Sequence, residues 1–120
     1  MYQSTTVVGN LGRDPEKRFT DSGTPVTSFS LAVNETWTKD GEKHEKVTWF
    51  KVTAWRRLAE TCAQYLSQGR SVLVEGTLAE PKPYKGRDGE WRASLELTAH
   101  TVKFLGGKEP QAEELDELPF

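Results

Sequence analysis

The sequence predicts an all-β fold, a small closed barrel of five antiparallel strands with one short helix between the third and fourth strands. Five segments alternate apolar and polar residues with the two-residue period of a strand that has one buried face. Glycines within and beside these segments allow the sharp bends that closing a small sheet requires. Two long polar excursions predict hairpin arms after the second and fourth strands. The five segments are residues 5–12, 26–35, 47–55, 71–78 and 91–104.

The first two strands are separated by a short extended piece. Gly9 interrupts the first strand, and a glycine inside a strand marks a bulge or a sharp bend. Turn residues at 13–15 and at 21–23 bracket the extended piece, residues 16–20. The second strand then carries its inward-facing residues at alternate positions, Phe29, Leu31 and Val33.

The two polar excursions differ in their turn signals. Residues 38–46 are wholly polar and are centred on Asp40 and Gly41, a dipeptide that strongly indicates a hairpin between two strands. Residues 79–90 contain two prolines and two glycines, and they predict a mobile loop or a second hairpin arm. Both arms should project from the body of the domain.

A short helix and a final strand complete the barrel. Residues 56–68 predict the helix, and Gly69 suits its C-terminal cap. In the last strand, Trp91 shares the parity of the inward-facing residues, which predicts that its side chain lies in the core. The barrel is of the oligonucleotide-binding (OB) type, and a split antiparallel α+β sheet is the alternative. The apolar face of the helix comprises Leu58, Cys62, Tyr65 and Leu66.

Length and composition predict one domain with a modest core. The sequence has no apolar run of the length that a membrane span needs, and its first residues lack the features of a signal peptide. We therefore expect a cytoplasmic location and no membrane association. Cys62 is the single cysteine, which excludes an intrachain disulfide and predicts a small buried apolar residue.

The charges are segregated along the chain. All 16 lysines and arginines lie in residues 1–108 with 13 of the 18 acids, which leaves +3 on this part and −5 on the remainder. The pattern loses all periodicity from Gly106 onward, which predicts a tail that is disordered when free. We therefore divide the chain into a domain, residues 1–107, and a short linker with an acidic tip, residues 108–120.

Alternation in the third strand predicts an exposed aromatic platform. One parity contains the apolar Phe50, Val52 and Ala54, whereas the other contains Lys51 between two tryptophans, Trp49 and Trp55. A core face does not readily accept the lysine, so the tryptophans should point outward with the cation between them. Every nucleic-acid base has a π face for such rings, and its phosphate can meet the lysine. The strand therefore predicts a surface for single-stranded nucleic acid.

Other interpretations of these tryptophans remain open. Strand tryptophans are often half-buried packing residues or subunit contacts. Trp37 shares the parity of the second strand's inward-facing residues, so a bulge or the end of the sheet must intervene before it can face a ligand. Aromatic platforms also stack on sugars, although the interleaved cations and the absence of a secretion signal disfavour a carbohydrate-binding module. A third alternative is a protein adaptor of the primosome type on the same fold.

The residues give little support for an enzyme. His44 and His100 are isolated and far apart in sequence, without a second set of metal ligands or a catalytic triad around them. A nuclease would need clustered carboxylates to hold its metal ions. The sequence has no nucleophile elbow and no phosphate-binding glycine loop. We therefore expect no catalysis, no metal and no cofactor.

Several segments resemble the bacterial single-stranded DNA-binding protein family. The resemblance covers the chain from about Val7 to Lys108 and resumes in the last eight residues, and it depends on the order and spacing of the segments rather than on any single one. The most specific segments are VGNLGRDPE (8–16), FSLAVNETW (29–37), TWFKVTAW (48–55), LAE (58–60), YLSQGRSVLVEG (65–76) and LPF (118–120).

The resemblance implies a homotetramer of OB folds that binds and protects single-stranded DNA, without sequence preference, in DNA replication, recombination and repair. It also implies a nucleoid-associated location in the cytoplasm. The family's phosphate contacts map onto Arg13 and Arg57, and the predicted faces add Lys51, Lys82 and Lys85. The family's base-stacking residues map onto Trp37, Trp49, Trp55 and, more roughly because the spacing differs, Tyr84.

The resemblance further implies that the acidic tip recruits partner proteins of DNA replication and repair. Four acids precede an apolar C-terminal residue beside a free carboxylate, which suits a pocket rimmed by basic residues. A solubilising tail is the alternative interpretation. Family members usually have a long linker before the tip, whereas only residues 109–112 separate domain and tip here. The tip residues are Asp116, Glu117, Leu118, Pro119 and Phe120.

Overall fold

The computed structural model describes residues 1–105, which form eight strands and one helix. The strands of the first arm are continuations of the predicted second and third strands, and the second arm contains a hairpin of its own. The elements are β1 (Thr5–Leu11), β2 (Glu16–Phe19), β3 (Pro25–Lys39), β4 (Glu42–Trp55), α1 (Arg56–Tyr65), β5 (Ser71–Leu78), β6 (Pro83–Lys85), β7 (Trp91–Ala93) and β8 (Leu95–Phe104).

The main sheet closes into the five-stranded barrel that the sequence predicts. Its strand order is β1-β5-β8-β4-β3-β2, and β1 also pairs with β3 at Asn10↔Ala32 and Leu11↔Leu31, which completes the ring. β2 lies outside the ring and pairs only with β3 among the described residues. The expectation of a purely antiparallel set is wrong, because β4 and β8 pair in parallel.

Glycine allows two backbones to approach closely at two places in the barrel. A Cβ atom added at Gly9 would clash with the backbone carbonyl of Ala32, and one added at Gly76 would clash with the carbonyl of Thr98. β1 is continuous through Gly9, so this glycine allows a strand contact rather than interrupting the strand. The second glycine lies at a register shift between β5 and β8, where the pairing jumps by one residue.

The barrel interior is filled by small and medium apolar side chains. Val, Leu and Ala dominate the buried cluster, which contains no tryptophan. The hydroxyl of buried Thr27 donates a hydrogen bond of 2.6 Å to the carbonyl of Ala59, which fixes β3 against α1. Burial raises the pKa of the Cys62 thiol to about 12, so this cysteine is an inert packing residue, as the sequence predicts.

The helix ends earlier than the sequence predicts. Leu66 is already extended, with φ −95° and ψ 149°, and its N–H donates to the carbonyl of Cys62. Gly69 therefore does not cap α1. It adopts φ 88° in the following turn and donates its N–H to Leu11, so its conformational freedom is used to place this turn against β1.

The first arm is a regular two-stranded ribbon. Asp40 and Gly41 have φ values of 52° and 78°, and positive φ at both central residues is typical of the type I′ hairpin turn. The predicted hairpin is therefore confirmed. Strand pairing continues to Lys39 and resumes at Glu42, so the polar segment extends β3 and β4 instead of forming an irregular loop between them.

The second arm contains an additional hairpin, and here the core prediction for Trp91 is wrong. The expected last strand breaks at Ser94, and its first three residues form β7, which pairs with β6 in a separate two-stranded sheet. Trp91 is consequently 69% exposed. Trp91 has the same alternation as the inward-facing residues of β8, but β7 and β8 pair with different partners. The alternation therefore does not place Trp91 in the core.

The one helix of residues 1–105 is not long and apolar enough to span a bilayer.

We predict that Gly9→Ala destabilises the barrel by about 3 kcal/mol, since neither backbone at this contact can retreat without breaking strand pairing. Urea unfolding should show a lower midpoint. Gly12→Ala is the matched control, because an added Cβ there would meet only the outer ring atoms of Trp49, a side chain that can move aside. Equal stability of the two variants would contradict this account of the closure.

Candidate functional site

The outer face of the β3–β4 pair carries the predicted platform. Trp49 lies opposite Ala32, Lys51 opposite Ser30, and Trp55 opposite Val26, in one uninterrupted antiparallel register. Their backbone neighbours Val52 and Ala54 are fully buried on the other face, as the alternation predicts. The indoles of Trp49 and Trp55 are 53% and 42% exposed. Two large rings therefore face solvent on one sheet surface with a lysine between them.

The platform is long enough for several planar groups to lie one after another along the strand. The two tryptophans are six positions apart in β4, which corresponds to about 20 Å along an extended strand. Beside Lys51 lies a shallow groove. Its lining comprises two cations, two acids, two hydroxyls and one aromatic ring, from Arg13, Lys51, Asp14, Glu16, Ser28, Ser30 and Phe29. The Asp14 carboxylate accepts the backbone N–H of Gln68 at 2.8 Å, so it has a structural role at this edge.

Gly12 determines how the Trp49 indole lies. An added Cβ at this position would be 2.6 Å from Cζ3 and 2.8 Å from Cη2 of the ring, so the indole rests directly on the turn after β1. The Gly12 N–H donates to the carbonyl of Ser30, which fixes the turn to β3. One open hollow on this face is lined by Gly12, Arg13, Ser30 and Trp49. Sequence reasoning missed this glycine, because only the folded register shows that a ring lies over it.

Trp37 is exposed but belongs to a different surface. The β3–β4 register continues unbroken to the hairpin, so no bulge turns Trp37 onto the face of Trp49. Trp37 is five positions after Ala32, and this odd offset places it on the reverse face. It reaches solvent because the ribbon extends beyond the barrel. The sequence pattern required either a bulge or the end of the sheet, and the structure shows the second. The ring is 45% exposed and stacks on His44, with centroids 5.6 Å apart and an interplanar angle of 18°.

The other end of the platform lies at the junction of β4 and α1. Trp55 borders a hollow with Arg56 and His100, and the His100 Nε2 atom is 2.9 Å from the Thr77 hydroxyl. Arg56 has φ 57°, a left-handed conformation that is uncommon outside glycine. Arg57 follows in the first turn of the helix and is exposed. Arg56 is thus a second cation at this end that sequence reasoning did not identify.

The remaining predicted residues of the domain lie on the second arm. Tyr84 is 47% exposed and pairs across the hairpin with Arg92, while Lys85 pairs with Trp91. Lys82 precedes β6 and is exposed. The structure thus brings Arg13 and Lys51 to one groove, with Arg13 also beside Trp49. Trp55 and Arg57 lie at the junction of β4 and α1, and the other candidates lie on the two arms. The predicted tip residues, Asp116, Glu117, Leu118, Pro119 and Phe120, lie outside the described residues.

An ion pair holds the tip of the second arm. The Arg92 guanidinium donates two hydrogen bonds to the Asp88 carboxylate, and the Glu90 N–H donates a third. These hydrogen bonds, the larger effect from Arg92 and the smaller from the Glu90 N–H, hold the pKa of the Asp88 carboxyl below its usual range.

Residues 1–105 contain no group of three or more side chains that could hold a metal ion. The two histidines have other contacts: His44 stacks on Trp37, and His100 bonds to Thr77. The exposed aromatic faces and the cations beside them suit reversible binding of a negatively charged polymer with planar groups.

Comparisons with known proteins agree with this geometry. A family model described as the single-strand binding protein family matches residues 2–105. A single-stranded DNA-binding protein of Neisseria meningitidis is 41% identical over 103 residues, which are 85% of this chain and 59% of that protein. One from Thermotoga maritima is 39% identical over 108 residues, or 89% of this chain and 76% of that protein. The chain thus spans about three fifths of the length of the Neisseria relative.

A solved structure supports the fold assignment independently. It is described as the Plasmodium falciparum SSB complex with ssDNA, and it covers 88% of this chain and 97% of its own, with a TM-score of 0.73. Sequence identity is 23%, so this likeness concerns the fold. The OB-type barrel with one short helix is thereby confirmed, and the split α+β alternative is excluded.

Proposed function

The chain belongs to the single-strand binding protein family, a family of DNA-binding proteins and not of enzymes, and we propose that it binds and protects single-stranded DNA without sequence preference. The observation that carries this proposal is the outer face of β4, where Trp49 and Trp55 are half exposed on either side of Lys51. The relatives from Neisseria and Thermotoga are named single-stranded DNA-binding proteins, and the similar Plasmodium structure is described as a complex with single-stranded DNA.

Binding combines stacking with phosphate contacts. Bases stack on Trp49 and Trp55, and on Trp37 and Tyr84 of the arms, and each stacked base contributes about 1–3 kcal/mol. Cations release counterions from the phosphates, so affinity should fall as salt rises. Duplex DNA hides its base faces, and therefore it should bind much more weakly. The cations in this role are Arg13, Lys51, Arg57, Lys82 and Lys85.

We predict that Trp49→Ala and Trp55→Ala each weaken binding of an oligo-dT by about 5- to 150-fold, the equivalent of 1–3 kcal/mol for one lost stacking partner. Titration followed by tryptophan fluorescence should also show less quenching. Val47→Ala is the matched control, because it removes an exposed apolar side chain of the same parity that offers no ring. Wild-type affinity in both alanine variants, or equal binding of an oligosaccharide, would eliminate the platform.

The family likeness also supports a homotetramer as the functional assembly. A single chain has a mass of 13.5 kDa, so light scattering should give about four times this value. A long oligo-dT added at saturation should be wrapped by one intact assembly, which adds the mass of the DNA without separating the subunits. A monomer mass without DNA, together with a gain of DNA mass that involves no four-subunit assembly, would contradict the tetramer while leaving DNA binding intact.

We further propose that the protein acts in the cytoplasm at the nucleoid, in DNA replication, recombination and repair, and that the tip at residues 116–120 recruits partner proteins. The support is the sequence of the tip, in which acids precede a C-terminal phenylalanine. Such a segment fits a pocket that combines an apolar floor with a basic rim. Its acids can also compete with DNA for the basic groove.

We predict that deleting residues 113–120 abolishes capture of replication and repair proteins while oligo-dT affinity holds or rises, because the acidic competitor is removed. Glu113→Gln with Glu114→Gln is the matched control that weakens the charge but keeps the terminal Leu118, Pro119 and Phe120. Loss of oligo-dT affinity on deletion would assign the tip to DNA binding instead. Unchanged capture of partners would reduce it to a solubilising tail.

A further inference from the structure

The second arm has two faces that carry different residues. Residues directly opposite in an antiparallel pair share a face, and successive pairs alternate between faces. The pair Tyr84↔Arg92 therefore lies on one face of the β6–β7 hairpin, and the next pair, Lys85↔Trp91, lies on the other. Each face presents one aromatic ring beside one cation.

The hairpin is held in a fixed shape by its turn. The Gly89 N–H donates to the carbonyl of Gly86 at 3.0 Å, and the Gly86 N–H donates to the carbonyl of Glu90 at 2.8 Å. Gly89 has φ 84°, which closes the turn. The guanidinium of Arg92 occupies the space that a side chain at position 86 would need. The two faces therefore keep their orientation relative to each other.

Charge distinguishes the two faces. The Arg92 guanidinium is bonded to the Asp88 carboxylate, so the cation beside Tyr84 is offset by an acid. Within residues 1–105, Lys85 forms no ion pair. The face with an uncompensated cation is thus the face of Trp91, the most exposed of the four tryptophans at 69%.

We propose that Trp91 and Lys85 form a further binding site for single-stranded DNA, in which one base stacks on the indole and its phosphate contacts the ammonium group. This inference rests on the proposed function and extends it to a residue that neither the sequence pattern nor the platform includes. Because the site lies on the reverse side of the hairpin from Tyr84, the arm holds DNA on both faces. A strand that reaches both faces must pass around the arm.

A variant with Trp91 as its single tryptophan tests the site. Of the four tryptophans, the three others are changed by Trp37→Phe, Trp49→Phe and Trp55→Phe, which keeps aromatic faces for stacking. Titration of this full-length variant with a labelled oligo-dT follows binding through the label's anisotropy and Trp91 through its own fluorescence. We expect a loss of Trp91 emission that saturates together with the anisotropy, because a base stacks on the indole.

Two further substitutions in the same background separate the roles of neighbouring cations. Lys85→Ala should reduce the loss of Trp91 emission at saturation, since the phosphate contact that holds the base over the ring is absent. Arg87→Ala is the matched control, because it removes a charge from the turn rather than from the face of Trp91, and the loss at saturation should remain. Equal effects of the two substitutions would overturn the assignment of Lys85.

The outcomes distinguish this inference from the proposed function. Anisotropy that reports binding while Trp91 emission stays constant would overturn the site and leave the proposed function intact. Emission that changes on protein dilution but not with DNA would also overturn it, and would assign the face to a second copy of the chain. Failure of the wild-type protein to bind would instead remove the proposed function. If the triple variant does not fold, Trp91→Ala alone serves: unchanged affinity and unchanged quenching would overturn the site.

Discussion

The register between β3 and β4 is the constraint on which the rest of this structure depends. It runs without a break from Val26↔Trp55 to Lys39↔Glu42, through fourteen pairs. Because side chains alternate between faces, a slip of one residue would bury Lys51 and the two platform indoles and expose Val52 and Ala54. The buried side of the same register supplies Phe29, Leu31, Val52 and Ala54 to the barrel core. Core packing and the exposure of the platform are therefore two results of one pairing.

The same register explains why the two ends of the ribbon differ. Over the barrel, one face of the pair meets the apolar interior, so the other face alone is available to a ligand. Past Val33 the ribbon leaves the barrel, and both of its faces are exposed. Trp37 thus reaches solvent from the face that would be internal nearer the barrel. The type I′ turn at Asp40 and Gly41 supports this projection, because its twist matches that of the strands.

Sequence reasoning succeeded where the outcome depends on local alternation. The five strands, the position of the helix, the Asp40–Gly41 hairpin and the outward direction of Trp49 and Trp55 all follow from period and turn chemistry. It failed where the outcome depends on a distant partner. Trp91 has the parity of a core residue, but β7 pairs with β6 and not with the barrel. The contact of the Trp49 indole with Gly12 and the parallel pairing of β4 with β8 likewise join segments far apart in sequence.

Exposed indoles make this arrangement costly for the fold alone. An aromatic side chain can bury 150–250 Å², so leaving half of it in water forgoes about 2–3 kcal/mol of hydrophobic stabilisation. Stacking of a base on such a ring returns about 1–3 kcal/mol, the same order of magnitude. The free protein must therefore hold its rings open with interactions elsewhere. The fully buried Leu31, Val52 and Val74 of the barrel and the close strand approach at Gly9 are such interactions, because neither depends on a side chain of the platform. Separating the residues that stabilise the barrel from those that face the ligand lets the indoles stay exposed without loss of the fold.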